Sequence, residues 1–399
     1  MTGDGANSEL SVLLARPWQE HRDVGGVRTE LLGIEASTGP ERLQVLVIPG
    51  NPGSAALYVP FMAHLHALLG GHAHILAASH AGHDGFSHHG GQVWDLAEQV
   101  AHKAALLRQV ALAPGRPPLL VVAHSVGAAM MLRIRSTWLG LGTYRTQAIA
   151  QVEGWALLEG GGDPPLQEAA GPALAAADSC DGGGGGGAGG WPTAASAAAG
   201  GTTPAVLKLV AVFPFLEAVP RSNRRQASIR MLAAWHGCLG WLGGCLAAAL
   251  PRALLARCLR LGSDMATGMA DAIAARLNRS TLRNALYLAA DEFKVLSEPW
   301  PWPQLASGLG RRLHVMGCDE DTWLSRAQYE ELQQRVPGLQ ATWHSKLRHD
   351  FCVSEAQSKA VAEHVAGIAH GGREAQLPSG GGAAVEAVEA EAGHAFGKL

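Results

Sequence analysis

A serine hydroxyl attacks a carbonyl only when a base takes its proton and fixed donors receive the oxyanion. Ser125 is placed for that chemistry. Residues 118–123 read as a buried strand and 128–132 as the start of a helix, so Ser125 falls on the turn between them. A sharp strand-to-helix turn exposes the hydroxyl and needs small residues two before and two after it. Gly127 meets that need, and Ala123 stands where glycine is usual.

The oxyanion donors are expected to be the backbone N–H of Val126 and one from the loop after an earlier strand. Ile48-Pro49-Gly50-Asn51-Pro52-Gly53 occupies that place, and Asn51 is the expected donor, since Pro52 carries no N–H. The base should follow the last strand. His349 fits, whereas His344 falls on the strand itself. The acid should follow the penultimate strand, where Gly317-Cys318-Asp319-Glu320-Asp321 offers several carboxylates, with Glu217 as an outsider after the strand before. By residue type alone Asp319 and Asp321 remain open.

Buried strands are expected at 43–48, 74–78 and 118–123, further strands at 206–213, 313–316 and 339–343, and an earlier strand at 28–34. Helical spacing runs through 58–69, 93–110 and 354–369. Such alternation predicts an α/β-hydrolase fold, a mostly parallel sheet with helices on both faces and a hydrophobic helical cap or insertion. The order Ser, Asp, His suits that fold. Residues 1–40 are read as an unstructured end plus the first strand, and 41–159 and 306–370 as the two halves of the catalytic domain. Residues 204–225 form a core strand and loop, and 226–305 a hydrophobic cap. Residues 160–203, with seven glycines in the eight positions 182–189, and the tail 371–399 are read as disordered.

With these residues in view, the chain resembles the lipid droplet-associated hydrolase family. The landmarks are Ile48 to Gly53, Tyr58-Val59-Pro60-Phe61, Ser79-His80-Ala81-Gly82-His83, His102-Lys103 and the Ser125 turn. Phe213-Pro214 with Glu217, Asp321-Thr322-Trp323 and His349-Asp350-Phe351 complete them. The resemblance covers about residues 43–369 without the glycine-rich insertion. It selects Asp321, two before a tryptophan, as the acid and leaves Asp319 as the alternative. It implies a serine esterase or lipase acting on neutral lipid esters such as sterol esters. The implied location is the cytosolic face of lipid droplets or the endoplasmic reticulum. It also implies that His80 and His83, with His124, line the pocket. Two alternatives of other classes are a droplet-surface binding protein with little turnover and an acyltransferase using the same triad.

Composition narrows the field. With 31 basic and 34 acidic residues and no basic–aromatic alternation, nucleic acid is not an expected partner. Six scattered cysteines without a CxxC pair read as reduced thiols of an intracellular protein, and no secretory signal is evident. No cofactor is required. No metal is expected either, because His80-Ala81-Gly82-His83-Asp84 lacks metallo-hydrolase spacing. His64, His66, His72 and His74 are expected on helix and strand surfaces.

The uncharged run from Met231 to Leu250 is long enough to span a bilayer. A span would put Ser125 on one side and Asp321 and His349 on the other, so it is incompatible with one triad. Gly237, Gly240, Gly243 and Gly244 are read as breaking the run into a hairpin that dips into a monolayer, guarded by arginines at both ends. A buried cap helix is the alternative.

Overall fold

The computed structural model describes residues 17–374 apart from 86–88, 114, 139–205, 262–264, 266, 299, 301–308 and 320. The expected disorder of 160–203, and of the tail beyond 374, lies outside the described residues.

Eight strands form one sheet: β1 (Trp18–Val24), β2 (Val27–Ile34), β3 (Leu43–Ile48), β4 (Ala73–Ala78), β5 (Leu119–His124), β6 (Val206–Val212), β7 (Leu313–Cys318) and β8 (Gln340–His344). Their spatial order is β1-β2-β4-β3-β5-β6-β7-β8. The pairs β1–β2 and β2–β4 are antiparallel, and every later pairing is parallel. β1 is a correction to the sequence reading, which left residues 1–27 without a strand. Its sequence WQEHRDV carries no apolar run because it lies at the sheet edge.

Strands β3 and β5 are buried at every position, and their alternate residues feed two separate cores. Leu46, Ile48, Val121 and Ala123 enter one core, against α2 (Leu96–Leu106) and α3 (Val126–Trp138). Val45, Val47, Leu120 and Val122 enter the other, against α1 (Val59–Leu68) and α10 (Glu355–Glu374). The α10 helix continues through Gly371, past the boundary at which the tail was expected to become disordered.

Above the C-terminal strand ends lie α4 (Arg224–Ala233), α5 (His236–Ala249), α6 (Arg252–Arg260), α7 (Thr267–Arg276) and α8 (Arg279–Val295). The 231–250 run is divided, but not at its glycines. The break falls at Ala234-Trp235, where α4 and α5 meet with a bend of 79°. All four glycines lie inside α5, and Gly240, Gly243 and Gly244 form its packing face while Gly237 is exposed. A Cβ on Gly240 would meet Arg283 at 2.8 Å, and one on Gly243 would meet Leu282 at 2.9 Å. Bare Cα atoms let α5 and α8 approach closely, leaving the opposite side of α5 outward. Trp235 (63%), Trp241 (51%), Leu242 (60%) and Leu246 (57%) are exposed there. Among the described residues no single helix is long and apolar enough to cross a membrane. A short helix, α9 (Arg326–Arg335), joins β7 to β8.

Two histidines expected on surfaces are buried. His66 donates through Nε2 to the Glu35 carbonyl at 2.9 Å, and Arg116 donates to His74 Nδ1 at 2.8 Å. Burial first, and the Arg116 charge second, push His74 down to about 3. Both partners are remote in sequence, so the local apolar pattern carried no sign of them.

Candidate active site

Four loops at the C-terminal ends of β3, β5, β7 and β8 converge, as parallel sheets require of a shared site. Ser125 follows β5 directly and has φ 53°, a left-handed conformation that L side chains avoid. The turn is held by hydrogen bonds on both sides: Ser125 N–H donates to the Val212 carbonyl at 3.1 Å, and Ala128 N–H to the Ser125 carbonyl at 3.1 Å.

Two glycines permit the close approach of the β3 loop. A Cβ on Gly127 would run into the Pro49 carbonyl oxygen, and one on Gly50 would lie 2.8 Å from Ser125 Cβ. Ala123 is fully buried and pairs with Ala211 on β6 and with Ile48 on β3.

His349 lies in the loop after β8. Ser125 Oγ–H donates to His349 Nε2 at 3.1 Å. His349 Nδ1–H donates to Asp321, whose Oδ1 and Oδ2 lie at 3.0 and 3.1 Å. The Asp321 side chain is fully buried and also receives the Trp323 N–H at 2.7 Å. Burial and the adjacent Asp321 push the Cys318 thiol up, so that it stays protonated beside the acid.

Asp319 is drawn elsewhere. Its N–H donates to the His344 carbonyl at 3.1 Å, and its Oδ1 accepts the Trp343 indole N–H at 2.6 Å. It belongs to the β7–β8 edge, while the Asp321 side chain is the one directed at His349. Glu217 is also apart from His349, its carbonyl accepting from Gln328 Nε2 at 3.3 Å. Neither alternative acid joins the cluster. His344 packs against His364 with ring centroids 4.1 Å apart and the planes tilted by 47°.

Val126 opens α3 and Asn51 lies on the loop after β3. Among the described residues neither backbone N–H has a protein acceptor. The Asn51 side chain anchors its loop to the cap, donating through Nδ2 to the Ala285 carbonyl at 2.9 Å and to Glu292 Oε1 at 3.1 Å. Glu292 is a buried carboxyl on α8, and burial pushes it up to about 8, against the lowering effect of the Asn51 bond.

The three histidines expected to line the pocket have other places. His80 and His83 are buried behind the β3 loop, where a Cβ on Gly53 would meet both rings. His83 Nδ1–H donates to the Pro52 carbonyl at 2.7 Å, bracing that loop from below. Burial, with Lys103 next, drives His80 well below the ordinary histidine range, so it is neutral. His124 is held between two loops. Its Nε2–H donates to the His349 carbonyl at 2.9 Å, and its Nδ1 accepts from the Tyr58 hydroxyl at 2.6 Å. The same hydroxyl accepts the Gly50 N–H at 2.8 Å.

Tyr58 was legible in the sequence only as a landmark, and nothing in its spacing revealed this relay. The sequence reading also missed Glu292, which lies 241 positions from the asparagine it holds. Phe213, with φ 47°, places its ring 6.3 Å from the His349 ring, and the Trp323 ring lies 6.0 Å away. The base is thus walled by aromatic side chains.

A family described as Lipid-droplet associated hydrolase matches residues 41–154 and 192–352, more than half of the chain and all four converging loops. The chain belongs to the lipid-droplet associated hydrolase family. It is similar to the lipid droplet-associated hydrolase of Pongo abelii, 30% identical over 141 residues, which is 32% of this chain and 39% of that protein. The human protein of the same name is 29% identical over the same shares. The alignments therefore span about two fifths of the length of these curated relatives.

Among solved structures, the chain is similar to a loop variant of haloalkane dehalogenase DbeA from Bradyrhizobium elkanii. Its TM-score is 0.53 at 15% identity, covering 91% of this chain and 100% of that one. Haloalkane dehalogenase DatA from Agrobacterium tumefaciens C58 gives a TM-score of 0.53 at 12% identity, covering 90% of this chain and 97% of that one. These likenesses establish the α/β-hydrolase fold, while the membership of a hydrolase family rests on the sequence.

Proposed function

We propose that this hydrolase is a serine esterase that cleaves carboxylic esters of neutral lipids, of sterol ester or acylglycerol type, at a lipid droplet or endoplasmic reticulum surface. The observation that carries the proposal is the continuous relay from Ser125 Oγ through His349 to buried Asp321, with contacts of 3.0 to 3.1 Å.

Ser125 Oγ attacks the ester carbonyl carbon while His349 Nε2 takes its proton. Asp321 holds Nδ1–H, which fixes the tautomer and stabilises the imidazolium. The carbonyl oxygen becomes an oxyanion received by the Val126 and Asn51 N–H groups. His349 returns the proton to the departing alcohol. Water, deprotonated by the same histidine, then frees the fatty acid from Ser125.

Two features support a lipid ester over a polar one. The base is flanked by the Phe213 and Trp323 side chains, and Phe351 packs behind it against Phe213 and the His124 ring, 5.1 Å from the latter. The outward face of α4 and α5 carries Met231 (64%), Leu232 (51%) and the α5 side chains named above. Apolar patches of this kind mark lipid or partner contacts. Arg224, Arg225 and Arg230 lie on one flank and Arg252, Arg257 and Arg260 on the other, all exposed and suited to phospholipid head groups.

The test is hydrolysis of emulsified triacylglycerol and sterol ester by the wild-type chain and by Ser125→Ala. Release of fatty acid by the former alone supports the reading. Equal release, or none from any ester by a folded chain, overturns it.

A further inference from the structure

The exposed cysteines fall on the apolar face of the cap. Among the described residues, Cys238, Cys245 and Cys258 are exposed free thiols, and Cys318 and Cys352 are buried. Helical periodicity puts each exposed thiol in a row of exposed apolar side chains. On α5, Cys238, Trp241, Leu242 and Cys245 occupy positions i, i+3, i+4 and i+7. On α6 and its cap residue, Leu254 (44%), Cys258 and Leu261 (73%) occupy i, i+4 and i+7.

A disulfide within α5 is excluded by length. Seven residues of helix separate Cys238 from Cys245 by about 10 Å along the axis, beyond the ~7 Å that a disulfide tolerates between Cα atoms. The α5 thiols also lie on the side opposite its α8-packing face, and Cys258 is exposed on α6.

We infer that Cys238, Cys245 and Cys258 are sites of S-acylation by long-chain fatty acyl groups. Cysteines on membrane-apposed helices are the usual acceptors of this modification. The inference rests on the reading of this face as lipid-facing, which brings the thiols to the depth where acyl chains reside. In the step, the cysteine sulfur attacks the carbonyl carbon of a long-chain acyl-coenzyme A. A new carbon–sulfur bond forms, the donor's carbon–sulfur bond breaks, and coenzyme A departs as a free thiol with the proton. No oxidant or reductant takes part. One chain holds a protein only reversibly, whereas two or more hold it stably. Three sites on adjoining helices would therefore turn a reversible surface contact into a lasting one.

The experiment uses the full chain expressed in eukaryotic cells that store neutral lipid. Free thiols are blocked, thioesters are cleaved with hydroxylamine, and each released thiol is given a polyethylene glycol mass tag. The wild-type chain should gain hydroxylamine-dependent tags, each of C238S, C245S and C258S should lose one, and the triple variant should gain none. Flotation with droplets is measured in parallel, with Trp241→Glu/Leu242→Glu as the variant that spoils the face. A wild-type chain that floats with droplets yet gains no tag overturns the acylation and leaves the surface reading intact. A tagged chain that does not float overturns the surface reading alone. Tags that persist in the triple variant overturn the assignment of these three sites.

Discussion

The imidazole of His124 donates a hydrogen bond from Nε2 to the backbone carbonyl of His349 at 2.9 Å, so the residue before the nucleophile holds the residue that carries the base. On its other side His124 Nδ1 accepts from Tyr58, and Tyr58 accepts from the Gly50 N–H. Three strand ends are thereby joined through one ring. Burial, with the neighbouring His349 next, drives His124 well below the ordinary histidine range, which keeps Nδ1 free to accept.

Removing the Tyr58 hydroxyl should loosen both the β3 loop and the His349 loop. For Tyr58→Phe we expect kcat on a soluble ester to fall by about tenfold with KM little changed, since the lost contact orients groups without touching substrate. Leaving a buried imidazole nitrogen and a backbone N–H without a partner should also cost about 1–3 kcal/mol of stability. Steady-state kinetics and denaturant unfolding of the purified variant check both. A wild-type kcat would remove the relay from the catalytic account.

The acid is separable by paired substitution. Asp321→Asn should keep the fold and lower kcat by about 10⁴, because the amide no longer fixes the working tautomer of His349. Asp319→Asn should stay within a few-fold of wild type, as Asp319 bonds the Trp343 indole and the β8 backbone and not His349. Equal losses in the two variants would contradict the assignment of Asp321.

Glu292 makes a pH-dependent statement about stability. Its folded pKa is raised from 4.5 to about 8, so the unfolded chain releases this proton at lower pH than the folded one. Below pH 4.5 the carboxyl is neutral in both states and imposes no penalty. As pH rises from 4.5 to about 8 the folded state becomes progressively disfavoured, and above 8 the loss is complete. Glu292→Gln keeps an oxygen for Asn51 and removes the charge. It should therefore be more stable than wild type at pH 9, by on the order of a few kcal/mol, with the difference shrinking toward pH 4. Thermal unfolding at a series of pH values reads this directly. A difference that is constant with pH would mean that Glu292 does not titrate in this range.

The apolar face offers a fourth test. Trp241→Glu with Leu242→Glu alters exposed side chains only, so turnover of a soluble ester should match wild type. Binding to triacylglycerol emulsions coated with phospholipid should fall by at least tenfold, since each substitution replaces apolar area with a charge costly to bury. Unchanged emulsion binding would locate the lipid contact elsewhere.

Much of this site was legible from local signals, and its failures have physical causes. Ser125 and the β3 loop each follow a short buried apolar run, and such runs mark parallel strands without knowledge of their partners, while His349 was placed by its position after the last strand. The choice between Asp319 and Asp321 was not local. β7 extends to Cys318, and the Trp343 indole on the neighbouring strand takes Asp319, which no spacing could show. The α5 glycines were misread for the same reason. A glycine that breaks a helix and one that lets two helices touch look alike until the partner is known, and that partner, α8, begins at Arg279. Burial of His66 and His74 likewise depends on distant groups. Polar residues at helical or strand spacing suggested surfaces, whereas the Glu35 carbonyl and Arg116 engage them inside.

The most direct measurement is covalent labelling of the native full chain with a fluorophosphonate, followed by peptide mapping. The reagent reports an activated serine whatever the natural ester is. A single residue, Ser125, should be phosphonylated, with labelling abolished in Ser125→Ala and slowed by orders of magnitude in Asp321→Asn. A folded wild-type chain that remains unlabelled, or that labels elsewhere, would contradict the catalytic role of Ser125.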